Sequence, residues 1–347
     1  MLDPPLLARG LRVLALSLLW IGLLGGCSYT PRYQNTSGVA VAKPFGDLIR
    51  WRWNAWQQDL PPIPAGPTPS VAPDMARIQR PSAAQVTWVG HATVLVQADG
   101  LNVLTDPIFS ERASPLSFLG PRRAQPPGVA LVDLPPIDVV VISHNHYDHL
   151  DRPSIEALAR RSSQTLFLVP LGLKGFMEDA GARRVVELGW WHSQEERGVR
   201  FMLTPVQHWS ARGLFDRFET LWGGWAMQGP GLVWTFSGDT GYHAADFRAT
   251  RERLLPRRID LALIPIGAYE PRWFMRDQHV NPDDAVNIAR DLDARQALGI
   301  HWGTFELTDE ALDQPPRDLA DAKRRAGLGP GQFEVMAVGE TRAVAVP

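Results

Sequence analysis

Apolar runs of four or five residues, punctuated by Gly, Pro and Asp, set the pattern of the chain from Gln85 onward. Residues 86–89 and 93–96 flank Gly90-His91, and 101–104 follow the turn Asp99-Gly100, a hairpin signal. Further runs lie at 139–142, 165–169, 200–203, 232–236, 261–264 and 297–300. Such lengths are too short for helices and predict buried strands. Helical spacing intervenes twice. Asp151 is placed to cap a helix with Pro153 early and Ile155, Leu158 and Ala159 on one face, and Asn281 is placed to cap a helix over 282–292. Strands first, then strands alternating with helices, predict an α/β fold of layered αββα type. No repeat of fixed period is present, although the two halves look weakly related. The run 327–331 is glycine-rich but reads as a turn, because no strand-to-helix context makes it a phosphate loop.

Upstream of residue 85 the texture changes. Arg9 and Arg12 precede an apolar stretch over 13–24, too short to span a bilayer comfortably and suited to the core of a secretory signal. It ends in Leu24-Gly25-Gly26-Cys27, which resembles a bacterial lipoprotein box. That resemblance implies a signal peptide over 1–26 and lipidation of Cys27 at the mature N-terminus. Ser28 at the next position favours an outer-membrane address, on the periplasmic face of the cell envelope. Residues 27–84 then form a tether and a Pro/Trp-rich arm, with Trp51, Trp53 and Trp56 followed by a proline strap over 61–69. The arm is expected to lie on the catalytic domain, 85–347, with packing on that domain the commoner fate of its tryptophans.

Composition narrows the picture further. Hydrophobic residues make up 45% of the 347 and charged ones 21%, an ordinary globular balance. A net charge of −2 gives no support for nucleic-acid binding. Cys27 is the single cysteine, so intrachain disulfides are excluded and stability must come from packing. No Gly-x-Ser-x-Gly elbow is present.

The chemistry is concentrated in His144-Asn145-His146-Tyr147-Asp148-His149-Leu150-Asp151, immediately after the run 139–142. A strand ending there delivers neutral nitrogens and an anionic oxygen to the rim of a sheet, the donor set of a catalytic zinc rather than a closed thiolate site. One metal needs three or four protein ligands, so others are expected at further strand ends. His208, Asp239 in Ser237-Gly238-Asp239-Thr240-Gly241, and His301 all stand in that setting.

These residues resemble the metallo-β-lactamase superfamily, whose ordered series is His-x-His-x-Asp-His, then His, Asp and His. The resemblance implies a four-layer αββα sandwich with two zinc ions, other divalent metals being compatible. His144, His146 and His208 would hold one ion; Asp148, His149 and His301 the other; Asp239 would bridge, with a hydroxide between the metals. Flanking motifs look like the N-acyl-phosphatidylethanolamine-hydrolysing phospholipase D branch: Gly90-His91-Ala92-Thr93, Thr105-Asp106-Pro107, Gln207-His208-Trp209-Ser210, Leu221-Trp222-Gly223-Gly224-Trp225, and Ile300-His301-Trp302-Gly303. The branch implies metal-dependent hydrolysis of a phospholipid phosphodiester to phosphatidic acid and an N-acylethanolamine, and it alone implies a homodimer. Tyr147 and His279 match positions that contact the acyl-ethanolamine moiety, and His279 would also assist proton transfer to the leaving group. Asp106 would orient a ligand histidine, and His91 a supporting position behind the ligands. Tryptophans 190, 191, 209, 222, 225, 273 and 302 suit either an acyl-chain groove or the core. A lactonase on the same scaffold is the rival, favoured by a small polar pocket where the phospholipase is favoured by an apolar channel. A non-catalytic metal-binding envelope lipoprotein is the third reading, and its signature, a missing ligand, is absent. No role follows from the sequence for His192 or His243.

Overall fold

The computed structural model describes residues 31–41, 43–58, 60, 68–213 and 215–345; Cys27 and the expected signal segment lie outside them, as does the strap over 61–67. Two seven-stranded mixed sheets form the body. The first contains β1 (Gln85–Gly90), β2 (Thr93–Ala98), β3 (Leu101–Thr105), β4 (Val139–Val141), β5 (Leu166–Pro170), β6 (Arg184–Leu188) and β14 (Thr341–Ala343), in the order β14-β1-β2-β3-β4-β5-β6. The second contains β7 (Ser193–Glu196), β8 (Val199–Thr204), β9 (Gly224–Gln228), β10 (Val233–Phe236), β11 (Leu261–Pro265), β12 (Gln296–Ile300) and β13 (Phe333–Val335), in the order β13-β12-β11-β10-β9-β8-β7. Each sheet begins as an antiparallel meander and continues with parallel strands: β3 to β6 in one, β10 to β13 in the other. This shared plan is the kinship between halves that the sequence only hints at.

Parallel strands need crossovers, and helices supply them. In chain order they are α1 (Phe45–Gln57), α2 (Met75–Gln79), α3 (Arg152–Arg161), α4 (Lys174–Asp179), α5 (Ala244–Leu254), α6 (Arg272–Met275), α7 (Pro282–Asp291) and α8 (Gln314–Ala326). One core joins the inner faces of both sheets, with Val86, Val94 and Leu166 from the first and Phe201, Trp225 and Leu261 from the second. Val140, Ile142 and Phe167 point the other way, against Ile155 and Leu158 of α3 and Met177 of α4. Strands buried on both faces read as unbroken apolar runs, which is why 139–142 shows no alternation. The architecture is the expected layered α/β sandwich.

Details depart from expectation in places. Asn281 caps α7 by accepting from the Asp284 N–H at 3.0 Å. Asp151 occupies the corresponding place before α3 but makes no cap; its carboxylate is held by Ser110 and Ser154 side chains instead. Of the tryptophans, Trp209, Trp222, Trp225 and Trp302 are buried, whereas Trp53 and Trp56 are exposed. The polar edge strands β6 and β7, the short β13 and β14, and helices α5 and α8 carry too weak an apolar signal to be legible in sequence, and α1 spreads its apolar residues over too much of its circumference to show one stripe.

Candidate metal centre

The site lies beyond the carboxyl ends of the strands, where open α/β sheets present ligand sites. Asp106 follows β3, His144 follows β4, His208 follows β8, Asp239 follows β10 and His301 follows β12. The two sheets touch at this rim. The Trp225 indole donates to the Ile142 carbonyl at 2.9 Å, and the Gly223 N–H donates to the Ser143 carbonyl at 2.9 Å. Gly238, with φ +58°, lets the strand end carrying Asp239 approach; a Cβ there would stand 2.5 Å from Ser143 Cβ. His91, Asp106 and His301 also hold positive φ angles of 54°, 32° and 60°. Left-handed backbone at non-glycine residues concentrates at functional sites because surrounding structure must over-determine it.

Seven of the nine histidines converge here with three aspartates. His144 Nε2 and His208 Nε2 lie 2.9 and 3.3 Å from His146 Nδ1, giving a group of three nitrogens. A second group joins Asp148, His149 and His301: the Nε2 atoms of the two histidines are 3.2 Å apart, and Asp148 Oδ2 is 3.4 and 3.3 Å from them. Asp239 stands between the groups. Its Oδ2 lies 3.1 Å from His149 Nε2 and 3.9 Å from both His144 and His208, while its Oδ1 lies 3.1 Å from His301 Nε2.

The rear faces of three rings, His144, His149 and His208, are anchored. His208 Nδ1 is 3.0 Å from the Gln278 carbonyl and His149 Nδ1 is 2.6 Å from Asp106 Oδ2, so each Nε2 lone pair is turned inward. Asp106 also accepts from the Ser143 N–H (2.7 Å) and hydroxyl (2.5 Å), and Ser143 Oγ lies 2.8 Å from His144 Nδ1. One buried carboxylate thereby braces both groups. His91 stands behind the second group, with Nε2 3.0 Å from Asp148 Oδ2 and its ring 4.0 Å from that of His301.

Electrostatics separates the two groups. Burial lowers His146 and His208 to about 3, and burial with neighbouring rings holds His144 well below its usual value. Burial would lower His149 and His301 too, but the facing Asp239 and Asp148 outweigh it, lifting His301 to about 9 and His149 well above normal. For Asp148 and Asp239, burial pulls upward and the facing histidines, His149 first, hold both well below the carboxylate range. Asp106 is raised by its own burial. Proton-free inward-facing nitrogens in the first group, and in the second histidines whose protons a cation would displace, beside carboxylates with no other basic side chain among the described residues, fit divalent cations. The Asp239 Oδ1 and His279 Nδ1 atoms are buried without a hydrogen-bond partner, as such a role requires.

His279 and Tyr147 lie on the border. Burial lowers His279 to about 3, and its Nδ1 is 3.8 Å from Asp239 Oδ2, near enough to join a donor group with Asp239 and His301. The Tyr147 hydroxyl donates to the Arg212 carbonyl at 2.7 Å, and the Arg212 guanidinium stacks on its ring at 4.1 Å, which ties the phenol to the 211–219 loop. His243 is outside the cluster, 2.9 Å from Asp246, and His192 is exposed.

Sequence reasoning placed the arm on the domain but missed its contact with the metal centre. Asn35 is buried; its Oδ1 accepts from the His208 N–H and its Nδ2 donates to the His208 carbonyl, both at 3.0 Å. Ser37 donates to Gln207 Oε1 at 2.8 Å, and the Val41 carbonyl accepts from Arg217, which stacks on Trp209 at 4.0 Å. Trp209 in turn packs edge-on against His146 at 4.4 Å. Residues 31–41 thus buttress two histidines of the three-nitrogen group. The only clue in the sequence is an Asn-Thr-Ser run, which any turn would also use. A cleft of about 620 Å³ beside this loop is lined by Ser37, Gln207, Tyr242, His243, Arg272 and Arg276. Its walls mix polar side chains with apolar surface, Val39 included, and set two carboxylates, Asp277 and Asp284, beside the two arginines.

Comparison with known proteins agrees with this geometry. The model of the beta-lactamase superfamily domain matches residues 101–302. The chain is 43% identical over 267 residues to N-acyl-phosphatidylethanolamine-hydrolyzing phospholipase D 1 of Caenorhabditis elegans, covering 73% of this chain and 74% of that protein. It is 37% identical over 238 residues to the mitochondrial N-acyl-phosphatidylethanolamine-hydrolyzing phospholipase D of Saccharomyces cerevisiae, covering 67% of this chain and 50% of the yeast protein. Among solved structures it is similar to Igni18, a metallo hydrolase of Ignicoccus hospitalis, with a TM-score of 0.57, 23% identity, and 76% and 99% of the two chains covered. Strand-end histidines and aspartates on a paired-sheet α/β sandwich, a matched family model and these homologues together place the chain in the metallo-β-lactamase superfamily, as a metallo-hydrolase of that fold.

Proposed function

We propose that the protein is a phospholipase D-type phosphodiesterase that hydrolyses N-acyl-phosphatidylethanolamine-type lipids to phosphatidic acid and an N-acylethanolamine. The observation that carries this reading is the complete two-group donor cluster in a chain 43% identical to a protein of that named activity. His144, His146 and His208 would hold one divalent cation and Asp148, His149 and His301 a second, with Asp239 shared; zinc suits this nitrogen-rich set. Cations bound there supply Lewis acidity toward a phosphoryl oxygen and lower the pKa of water.

The protein's own groups do the rest. Asp106 fixes the His149 tautomer and, through Ser143, the His144 ring. Asp239 offsets the repulsion between two cations. His279 is neutral and its Nδ1 is unpartnered, so it can take and return a proton at the leaving oxygen. Lipidation at Cys27, residence in the cell envelope and a phospholipid partner belong to the same proposal.

The test is hydrolysis of N-acyl-phosphatidylethanolamine in micelles by zinc-loaded protein, with Asp239→Asn as control and a lactone panel alongside. Release of phosphatidic acid that depends on metal and on Asp239 is expected. Lactone turnover without phosphodiester cleavage would overturn the substrate assignment.

A further inference from the structure

Helix α1 has two apolar faces. Leu48, Trp51 and Ala55 are buried against Phe274 and Met275, with the Trp51 and Phe274 rings 4.8 Å apart and the Trp51 indole donating to Asp309 at 2.8 Å. That face explains why the helix sits where it does. It leaves a second stripe unexplained: Phe45, Ile49, Trp53 and Trp56 are 38%, 53%, 56% and 60% exposed. Spacings of four, four and three residues put these side chains on one line along the helix. At about 100° per residue the stripe is centred roughly 120° away from the buried face. Arg52 borders it on one side and Arg50 on the other, and the Arg50 guanidinium stacks on Trp273, itself 39% exposed, at 4.9 Å. The Trp53 and Trp56 rings pair at 5.2 Å.

We propose that this outer face of α1 docks the protein on an anionic phospholipid surface, with Phe45, Ile49, Trp53 and Trp56 entering the headgroup–acyl boundary and Arg50 at phosphate level. Arg52 is turned the other way, half-buried over the Trp51 ring at 5.1 Å and beside Asp309. Two tryptophans beside an exposed arginine suit an interface that is apolar below and anionic above. A second copy of the chain seated on this face would bring like-charged Arg50 side chains together. Chain geometry agrees: the apolar stretch over 13–24 and Cys27 precede Phe45 by fewer than about 35 residues, so an anchor there keeps α1 within reach of the same surface. An enzyme that hydrolyses phospholipids meets its substrate at a membrane, so the docking face deepens the proposed function. The docking face nevertheless stands without the hydrolytic reading, because vesicle binding is measured without turnover.

The experiment places an environment-sensitive fluorophore on α1 in a Cys27→Ser chain, at Ile49→Cys on the stripe or at Asn54→Cys on the polar side. Vesicles of phosphatidylglycerol with phosphatidylcholine are added, with and without brominated acyl chains. At position 49, a several-fold brighter, blue-shifted emission that brominated lipid quenches is expected; at position 54, little change. Arg50 should contribute roughly a fivefold preference for anionic over zwitterionic vesicles. The double variant W53S/W56S should partition at least tenfold more weakly, with its thermal midpoint and its cleavage of a water-soluble phosphodiester unchanged. Equal signals at 49 and 54 on vesicles that do capture the protein would overturn the proposal. So would an emission at 49 already blue-shifted without lipid, the mark of cover by the protein's own chain, or one that rises with protein concentration alone, the mark of a second copy.

Discussion

Replacing Asn35 with alanine tests whether the arm is part of the metal centre or only rests on it. The side chain makes four hydrogen bonds: two with the His208 peptide at 3.0 Å, one from the Trp222 indole at 3.1 Å and one to the Val39 carbonyl at 3.1 Å. Trp222 keeps an alternative acceptor, the Val206 carbonyl at 3.0 Å. The buried His208 N–H is left with none, which costs about 1–3 kcal/mol, and the weakened carbonyl contact adds about 1 kcal/mol. A total near 2–4 kcal/mol lowers the thermal midpoint by several degrees for a domain of this size. Because the loss falls on the peptide that sets His208, metal retention against a competing chelator should fall about 10–100-fold, as it does when a ligand's supporting partner is removed. Thr36→Val is the control. Its hydroxyl bonds only Asp246, at 2.7 and 2.8 Å, so it loosens the same arm without touching the histidine loop. Stability should drop modestly and metal retention should not. If both variants hold metal as tightly as the parent, the arm is a passive strap and the reasoning fails.

Removing Asp106 should be harsher. Asp106→Ala strips the partner from the Ser143 N–H and hydroxyl and from His149 Nδ1, all buried, at a cost of about 3–5 kcal/mol, and metal content measured by mass spectrometry should fall in both groups. Gly238→Ala forces a Cβ to 2.5 Å from Ser143 Cβ at a φ of +58°, so little folded protein is expected on size exclusion, whereas Gly327→Ala, also at positive φ but with nothing near, should remain folded. Fold stability should depend on pH in opposite senses for the metal-free and metal-loaded protein. His301, lifted to about 9 by Asp239 against its burial, stabilises the metal-free fold below its unfolded value near 6.5, and that contribution is lost as pH rises through about 9. Metal entry displaces that proton, so the midpoint gained on adding zinc should grow from pH 6 to 9; a gain that shrinks over that range would refute the assignment.

Much of this was legible in the chain because the chemistry and the fold share one signal. A strand buried on both faces is an unbroken apolar run, and the residue that follows it stands at the sheet rim; His144, His208, Asp239 and His301 could be found that way. Other parts leave no such mark. Asp151 has every local feature of a helix cap, yet Ser110 and Ser154 compete for its carboxylate through contacts that no spacing rule encodes. Edge strands β6 and β7 are half polar and look like loops. The expectation that tryptophans of the arm pack inward holds for Trp51 and fails for Trp53 and Trp56, because a helix that buries a third of its circumference cannot bury residues on the rest.

The arm joins these observations physically. Its first stretch, Asn35 to Val41, is bonded to the backbone of His208 and, through Arg217 and Trp209, pressed on His146. Its helix is seated on α6, whose Met275 carbonyl accepts from the His279 N–H at 2.9 Å. A pull on α1 is therefore a pull on one edge of the three-nitrogen group and on the residue placed for proton transfer. Coupling between a docking surface and a reacting centre requires a continuous packed route whose ends both sites can bias. Here that route is about twenty residues of one segment, outside the matched superfamily region, 101–302. If surface binding through α1 is transmitted along this segment to His208, metal is retained more tightly on vesicles than in solution, and Asn35→Ala is the variant that should abolish the difference.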